Sequence, residues 1–120
     1  IKCRNLKAMD LNGKSDPYVK MVIFLRDSII LKEKSSVQKC TLNPEFNLSV
    51  RVCIGQEEIY GIRIHISMMD YNKILKNRII GKVILGPTGS GILERKTFNT
   101  LLNSPKEPIV QWLKLKPNIT

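Results

Sequence analysis

The stretch that most limits what this chain can become follows Gly61. Ile62, Ile64, Ile66 and Met68 fall at every second position, with Arg63, His65 and Ser67 between them. A period of two puts the first set on one face of a strand and the second on the other, the signature of a half-buried antiparallel strand. A strand apolar on one side needs partners and a cover. The rest of the chain therefore has to supply more strands and a layer to pack against them.

Those strands can be read in order. Tyr18 to Leu25 is β-rich and apolar at its C-terminal half, Arg26-Asp27-Ser28 is turn chemistry, and Ile29 to Lys34 resumes a strand. After the turn Asn43-Pro44-Glu45-Phe46-Asn47, Leu48 to Ile54 alternates again, and Ile79 to Leu85 follows a polar loop. A glycine-rich connection, Gly86 to Gly91, lacks the Gly-Lys-Ser/Thr close of a phosphate-binding loop. Beyond it Leu93, Phe98, Leu101 and Leu102 fit one stripe of a short helix ending before Ser104-Pro105, and Ile109 to Leu115 reads as the last strand. About seven short strands with turn signals between them predict an all-β antiparallel sandwich with one helical insertion. The 120 residues suit a single domain spanning 1–120.

Charge restricts the partners. Twenty Lys and Arg against ten Asp and Glu give a formal +10, which favours anionic surfaces: nucleic acid, acidic lipid or acidic protein. With seven aromatic residues, no zinc-finger spacing and no basic helix, lipid is favoured over nucleic acid. The longest apolar run, Met21 to Leu25, is far short of the roughly 20 residues that span a bilayer. Cys3, Cys40 and Cys53, odd in number and scattered, read as reduced thiols filling strand interiors. His65 is the sole histidine, on a polar strand face with no predicted serine or cysteine partner, so no catalysis is expected.

Two aspartate-bearing turns stand out, Met9 to Tyr18 and Asp70 to Arg78. With Asn5-Leu6-Lys7-Ala8-Met9-Asp10, Ser15-Asp16-Pro17-Tyr18-Val19-Lys20, Leu42-Asn43-Pro44-Glu45-Phe46-Asn47, Asp70-Tyr71-Asn72-Lys73, Ile80-Gly81-Lys82-Val83 and Gln111-Trp112-Leu113-Lys114-Leu115, the chain resembles a C2 domain. The resemblance is to the second, C2B-type domain of synaptotagmins, and the helix between Gly91 and Pro105 supports it. Against that family's eight strands, the first strand is expected to lie upstream of Ile1.

The resemblance implies a non-enzymatic module of vesicle traffic and exocytosis on the cytosolic face of a vesicle or plasma membrane. It also implies binding to phosphatidylserine, phosphoinositides and SNARE-type proteins, and oligomers with other C2 proteins. Calcium-responsive members gather five aspartates at one rim. Here Asp10, Asp16 and Asp70 stand at three of those positions, Asn72 at the fourth and Arg78 at the fifth. Lys14, Lys73, Lys76 and Arg78 outnumber the three acids, so Arg78 is expected to pair with Asp16 or Asp70 as a built-in counterion. The expectation is a degenerate calcium site, weak and in the millimolar range if it binds at all.

Ile74 and Leu75, between Lys73 and Lys76, suit shallow insertion among headgroups, with folding back over the sandwich as the alternative. Lys32, Lys34 and Lys39 match the family's lysine-rich flank, interrupted by Glu33. Lys106 and Trp112 are candidate partner contacts, Trp112 also fitting a packing role. Two other functions stay open: a calcium-dependent lipid sensor and a purely protein-interacting domain.

Overall fold

The computed structural model describes residues 15–48, 55–72, 76–87, 91–103 and 113–116. Within them, four strands form one antiparallel sheet in the order β2-β1-β3-β4: β1 (Pro17–Leu25), β2 (Ser28–Lys34), β3 (Ile62–Asp70) and β4 (Arg78–Leu85). A 3-10 turn at Gln56–Gly61 precedes β3, and α1 (Ile92–Asn103) follows β4. The all-β antiparallel fold with one short helix near the C-terminus is as the sequence pattern requires.

Register decides which side chains share a face. Val19 lies opposite Met68, Met21 opposite Ile66 and Ile23 opposite Ile64, so these columns form the inner face. Val19, Ile62 and Met68 are at most 1% exposed. At about 1.5–3 kcal/mol for each fully buried aliphatic side chain, this face supplies much of the folding drive. Phe98 from α1 and Phe46, Leu42, Leu48, Leu113 and Leu115 from outside the sheet pack on it, forming the covering layer. That cover comes close at Gly81, where a Cβ would lie 2.9 Å from Cβ of Leu115, so only glycine fits without a shift.

Two irregularities re-aim side chains. A bulge between Met68 and Met69 puts Gly81 opposite Met68 and Ile79 opposite Met69. Ile80 is the extra residue, and Asp70 then meets Arg78 directly across the pair. The β1–β2 turn holds Arg26 in the left-handed region (φ 55°), with its N–H donating to Gly61 O at 2.8 Å.

Several expectations need correction. Leu93 is 42% exposed and belongs to no buried stripe, whereas Phe98 is buried. Residues 113–115 are not in a strand; Lys116 makes an isolated bridge with Lys82. Cys40 is exposed in a turn at φ 54°, because its backbone N–H is drawn to Asp16, so it fills no strand interior. Asp70, read from the sequence as the first residue of a turn, is the last residue of β3. Residues 49–54 and 109–112 of the expected strands lie outside the described residues, as do Cys3 and Cys53 and the side chains of Leu101 and Leu102.

The helix is anchored by charge as well as by Phe98. Glu94, 4% exposed, accepts a hydrogen bond from Lys116 Nζ at 3.1 Å. Removing a buried carboxylate's side of such a pair is costly, but Lys116 is 41% exposed and water screens it. Glu94→Ala is therefore expected to destabilise the domain by about 1–2 kcal/mol, read as a lower urea midpoint at unchanged slope.

Candidate functional site: the aspartate rim and the basic sheet face

At the β1 start and β3 end, backbone and side chains lace two chain segments together. Asp16 N–H donates to Asp70 Oδ1 at 2.9 Å, and Tyr71 N–H donates to Asp16 O at 3.0 Å. Asp16 Oδ1 accepts from Cys40 N–H at 2.7 Å, which pins the segment after β2 to the same rim. Gln38 N–H to Pro17 O and Thr41 N–H to Ser15 O continue that seam.

Asp70 is fully buried, and its second oxygen is occupied: Arg78 Nη2 donates to Oδ2 at 2.5 Å. Of the two aspartates open to Arg78 from sequence, the guanidinium reaches Asp70, because the register makes them a cross-strand pair. A residue that the sequence does not single out ties Asn72 and Tyr18 together. Asn77 Oδ1 accepts from Asn72 N–H, and its Nδ2 donates to Tyr18 Oη, both at 2.9 Å.

Calcium takes six to eight oxygens; among the described residues both Asp70 oxygens face donors, the Asp16 N–H and the Arg78 guanidinium, and Asn72 N–H donates to Asn77. Among the described residues, no three acids, cysteines or histidines are grouped to hold a metal. Asp10, Lys73, Ile74, Leu75, Lys106 and Trp112 lie outside the described residues. Lys76 is exposed beside the loop.

The sheet face away from the core carries the charge. Lys20 stands opposite Lys34 on one side and Ser67 on the other, and Ser67 opposite Lys82. Val22 stands between Lys32 and His65, and Phe24 opposite Arg63. Lys20, Lys32, Lys34, Arg63 and Lys82 thus share one face, and no carboxylate occupies these columns. Glu33 pairs with Met21 in the inward-facing column, so it breaks the lysine run in sequence but not on this face. Its exposed side chain still borders the edge, beside Tyr18, Lys20, Lys32 and Lys34. Lys39 is exposed in the turn beside Cys40, nearer the rim than this face.

Lys20, Val22, Phe24, His65, Ser67 and Met69, with Lys76, Asn77 and Ile79, line an open groove of about 400 Å³ on this face. Within it the Phe24 ring lies 4.8 Å from the His65 ring and 5.1 Å from the Arg63 guanidinium carbon. Arg63 also donates to Arg26 O at 3.0 Å, which holds it in place. Burial, then the charges of Lys82 and Arg63, hold the imidazole below its ordinary pKa. Among the described residues, His65 Nε2 has no hydrogen-bond partner, and the ring lies against Phe24.

Comparison with known proteins agrees with this geometry. The C2 domain family model matches residues 1–112. The chain is 41% identical to Synaptotagmin-1 of Caenorhabditis elegans over 98% of its own length and 26% of the relative's. It is 39% identical to human Synaptotagmin-2 over 98% of its length and 28% of the relative's. It thus spans about a quarter of the curated relatives it matches. Among solved structures, a C2 domain of RIM from Drosophila superposes with a TM-score of 0.63 at 20% identity, covering 78% of this chain and 74% of that one. A C2 domain of plant Extended Synaptotagmin 1 gives 0.57 at 26% identity, covering 72% and 63%.

Proposed function

The chain belongs to the C2 domain family, and we propose that it is a non-enzymatic C2B-type module that docks on anionic phospholipid in vesicle traffic, largely without calcium. The observation that carries this reading is Arg78 seated on Asp70. In a ring of carboxylates, a bound divalent ion is what turns the local field positive. Here a covalently attached guanidinium occupies that place permanently, so the rim needs no metal before it meets an acidic surface.

The basic face supplies the attraction. Each lysine or arginine close to an anionic membrane contributes about 1 kcal/mol, and five share this face. Phosphatidylserine and phosphoinositides are the ligands this charge suits. SNARE-type acidic segments present similar chemistry and compete for the same cations. No helix among the described residues is long and apolar enough to cross a membrane; docking in this reading is peripheral, on the cytosolic face of a vesicle or the plasma membrane.

Co-sedimentation with vesicles of phosphatidylcholine, with or without phosphatidylserine and phosphatidylinositol bisphosphate, tests the reading in calcium and in chelator. Equal pelleting on acidic vesicles in both conditions is expected. Pelleting only in calcium would return the domain to the sensor class, and none in either would leave a protein-interaction module.

A further inference from the structure

The 3-10 turn before β3, Gln56–Gly61, carries an arrangement that neither docking nor packing uses. Tyr60 is 83% exposed, and Glu57 and Glu58 stand exposed three and two residues ahead of it. Ile59 lies between, and Gly61 follows. In a chain with twice as many cations as acids, these are the only two acids adjacent in sequence, and they directly precede an open tyrosine. The other two tyrosines differ on each count. Tyr18 is 8% exposed, and its hydroxyl accepts from Asn77 Nδ2. Tyr71 is 38% exposed, with Met68 and Met69 where Tyr60 has acids, and the Asp70 before it is buried on Arg78.

We infer that Tyr60 is a phosphorylation site for a protein tyrosine kinase with a basic peptide cleft, which recognises Glu57 and Glu58. Charge complementarity of this kind selects among substrates more than it adds affinity. In the transfer, Tyr60 Oη attacks the γ-phosphorus of ATP, and the new O–P bond forms as the bond to the β–γ bridging oxygen breaks. ADP leaves, and the phenolic proton passes to the kinase's catalytic aspartate. The turn suits this step because little holds it. A 3-10 turn has poorer hydrogen-bond geometry than an α-helix, and Gly55 at its N-cap supplies no side-chain bond. Glu58 N–H donates to Gly55 O at 3.0 Å and Ile62 N–H to Ile59 O, while Ile59 is only partly buried against the core. Extending the turn into a kinase cleft therefore leaves the pairing of β3 with β1, which begins at Ile62, in place.

The consequence follows from the neighbours. Arg26 lies against the next residue: its N–H donates to Gly61 O at 2.8 Å, and a Cβ on Gly61 would meet Arg26 Cγ at 2.9 Å. Arg63, at the end of the basic face, donates to Arg26 O. A phosphate adds about −1.5 to −2 charges at this end of the face, which weakens the field that draws it to acidic lipid. The site stands without the docking reading; this consequence rests on it.

The test incubates the folded domain with ATP, Mg²⁺ and a soluble tyrosine kinase selective for acids ahead of its tyrosine, then maps the phosphate by peptide mass. A single phosphate per chain is expected on Tyr60, and none with Tyr60→Phe. With Glu57→Gln and Glu58→Gln together the rate is expected to fall about fivefold to tenfold. Both acids are exposed, so that variant keeps the fold. No incorporation, or a double variant modified as fast as the native domain, would overturn the inference. Phosphate on the buried Tyr18 would show the kinase reading unfolded chain and would overturn it too. On phosphatidylserine vesicles the phosphorylated domain is expected to bind about fivefold more weakly than the unmodified one at moderate salt. Equal binding of the two would overturn the electrostatic consequence. No binding by either would overturn the docking reading and leave the site standing.

Discussion

Replacing Arg78 with alanine is expected to lower the unfolding free energy by about 2–3 kcal/mol, with little change in the slope of a urea titration. The reason is the asymmetry of the pair. Asp70 is fully buried, whereas the Arg78 side chain is 41% exposed. Deleting the arginine leaves a buried carboxylate with the Asp16 N–H but without its counter-charge. A fully enclosed pair would cost about 3–5 kcal/mol to break, and water reaching the exposed guanidinium position reduces that figure. Asp70→Asn keeps an oxygen for the Asp16 N–H and removes the charge, so in the Arg78→Ala background it should cost much less than it does alone. A double-mutant cycle that returned no coupling would show that the pair holds nothing together. It would also undercut the reading in which Arg78 stands in for a metal.

Much of this was legible from the pattern of residues, and the exceptions share a cause. The alternation from Ile62 to Met68 placed β3 and its buried face correctly, because a period of two depends only on the strand itself. Arg78 was recognisable as a counterion from its charge among aspartates; that it takes Asp70 and not Asp16 depends on register across the loop. The side on which Glu33 lies follows from pairing with β1, so a lysine run broken in sequence becomes a continuous basic face in the sheet. Lys20, Arg63 and Lys82 join that face from three different strands, and no local window contains them together.

Asn77 and Glu94 show a different limit. Both are polar residues in polar surroundings of the sequence, yet one ties the rim loop to Tyr18 and the other is buried against Lys116. Their partners lie 59 and 22 residues away. What can be read locally is the preference of each side chain for a face or a turn. What cannot be read is the partner, since that is fixed by pairings and bulges formed elsewhere.

The second large effect concerns the face itself. Neutralising Lys20, Lys32 and Lys34 together is expected to weaken binding to acidic vesicles by about 100-fold at moderate salt, taking about 1 kcal/mol for each cation near the surface. Lys32 and Lys34 are exposed, and Lys20 is partly exposed beside them, so removing their charges disturbs no buried ion pair and the fold should survive. Because the attraction is between exposed charges, raising the salt should weaken the native domain far more than the triple variant, and the two should converge. Lys96 is exposed on α1, whose Phe98 packs on the inner face, and its neutralisation serves as the control. If Lys96→Ala cost as much per charge as the three strand lysines, net charge alone would govern docking. The ordered basic face would then have no special part in it.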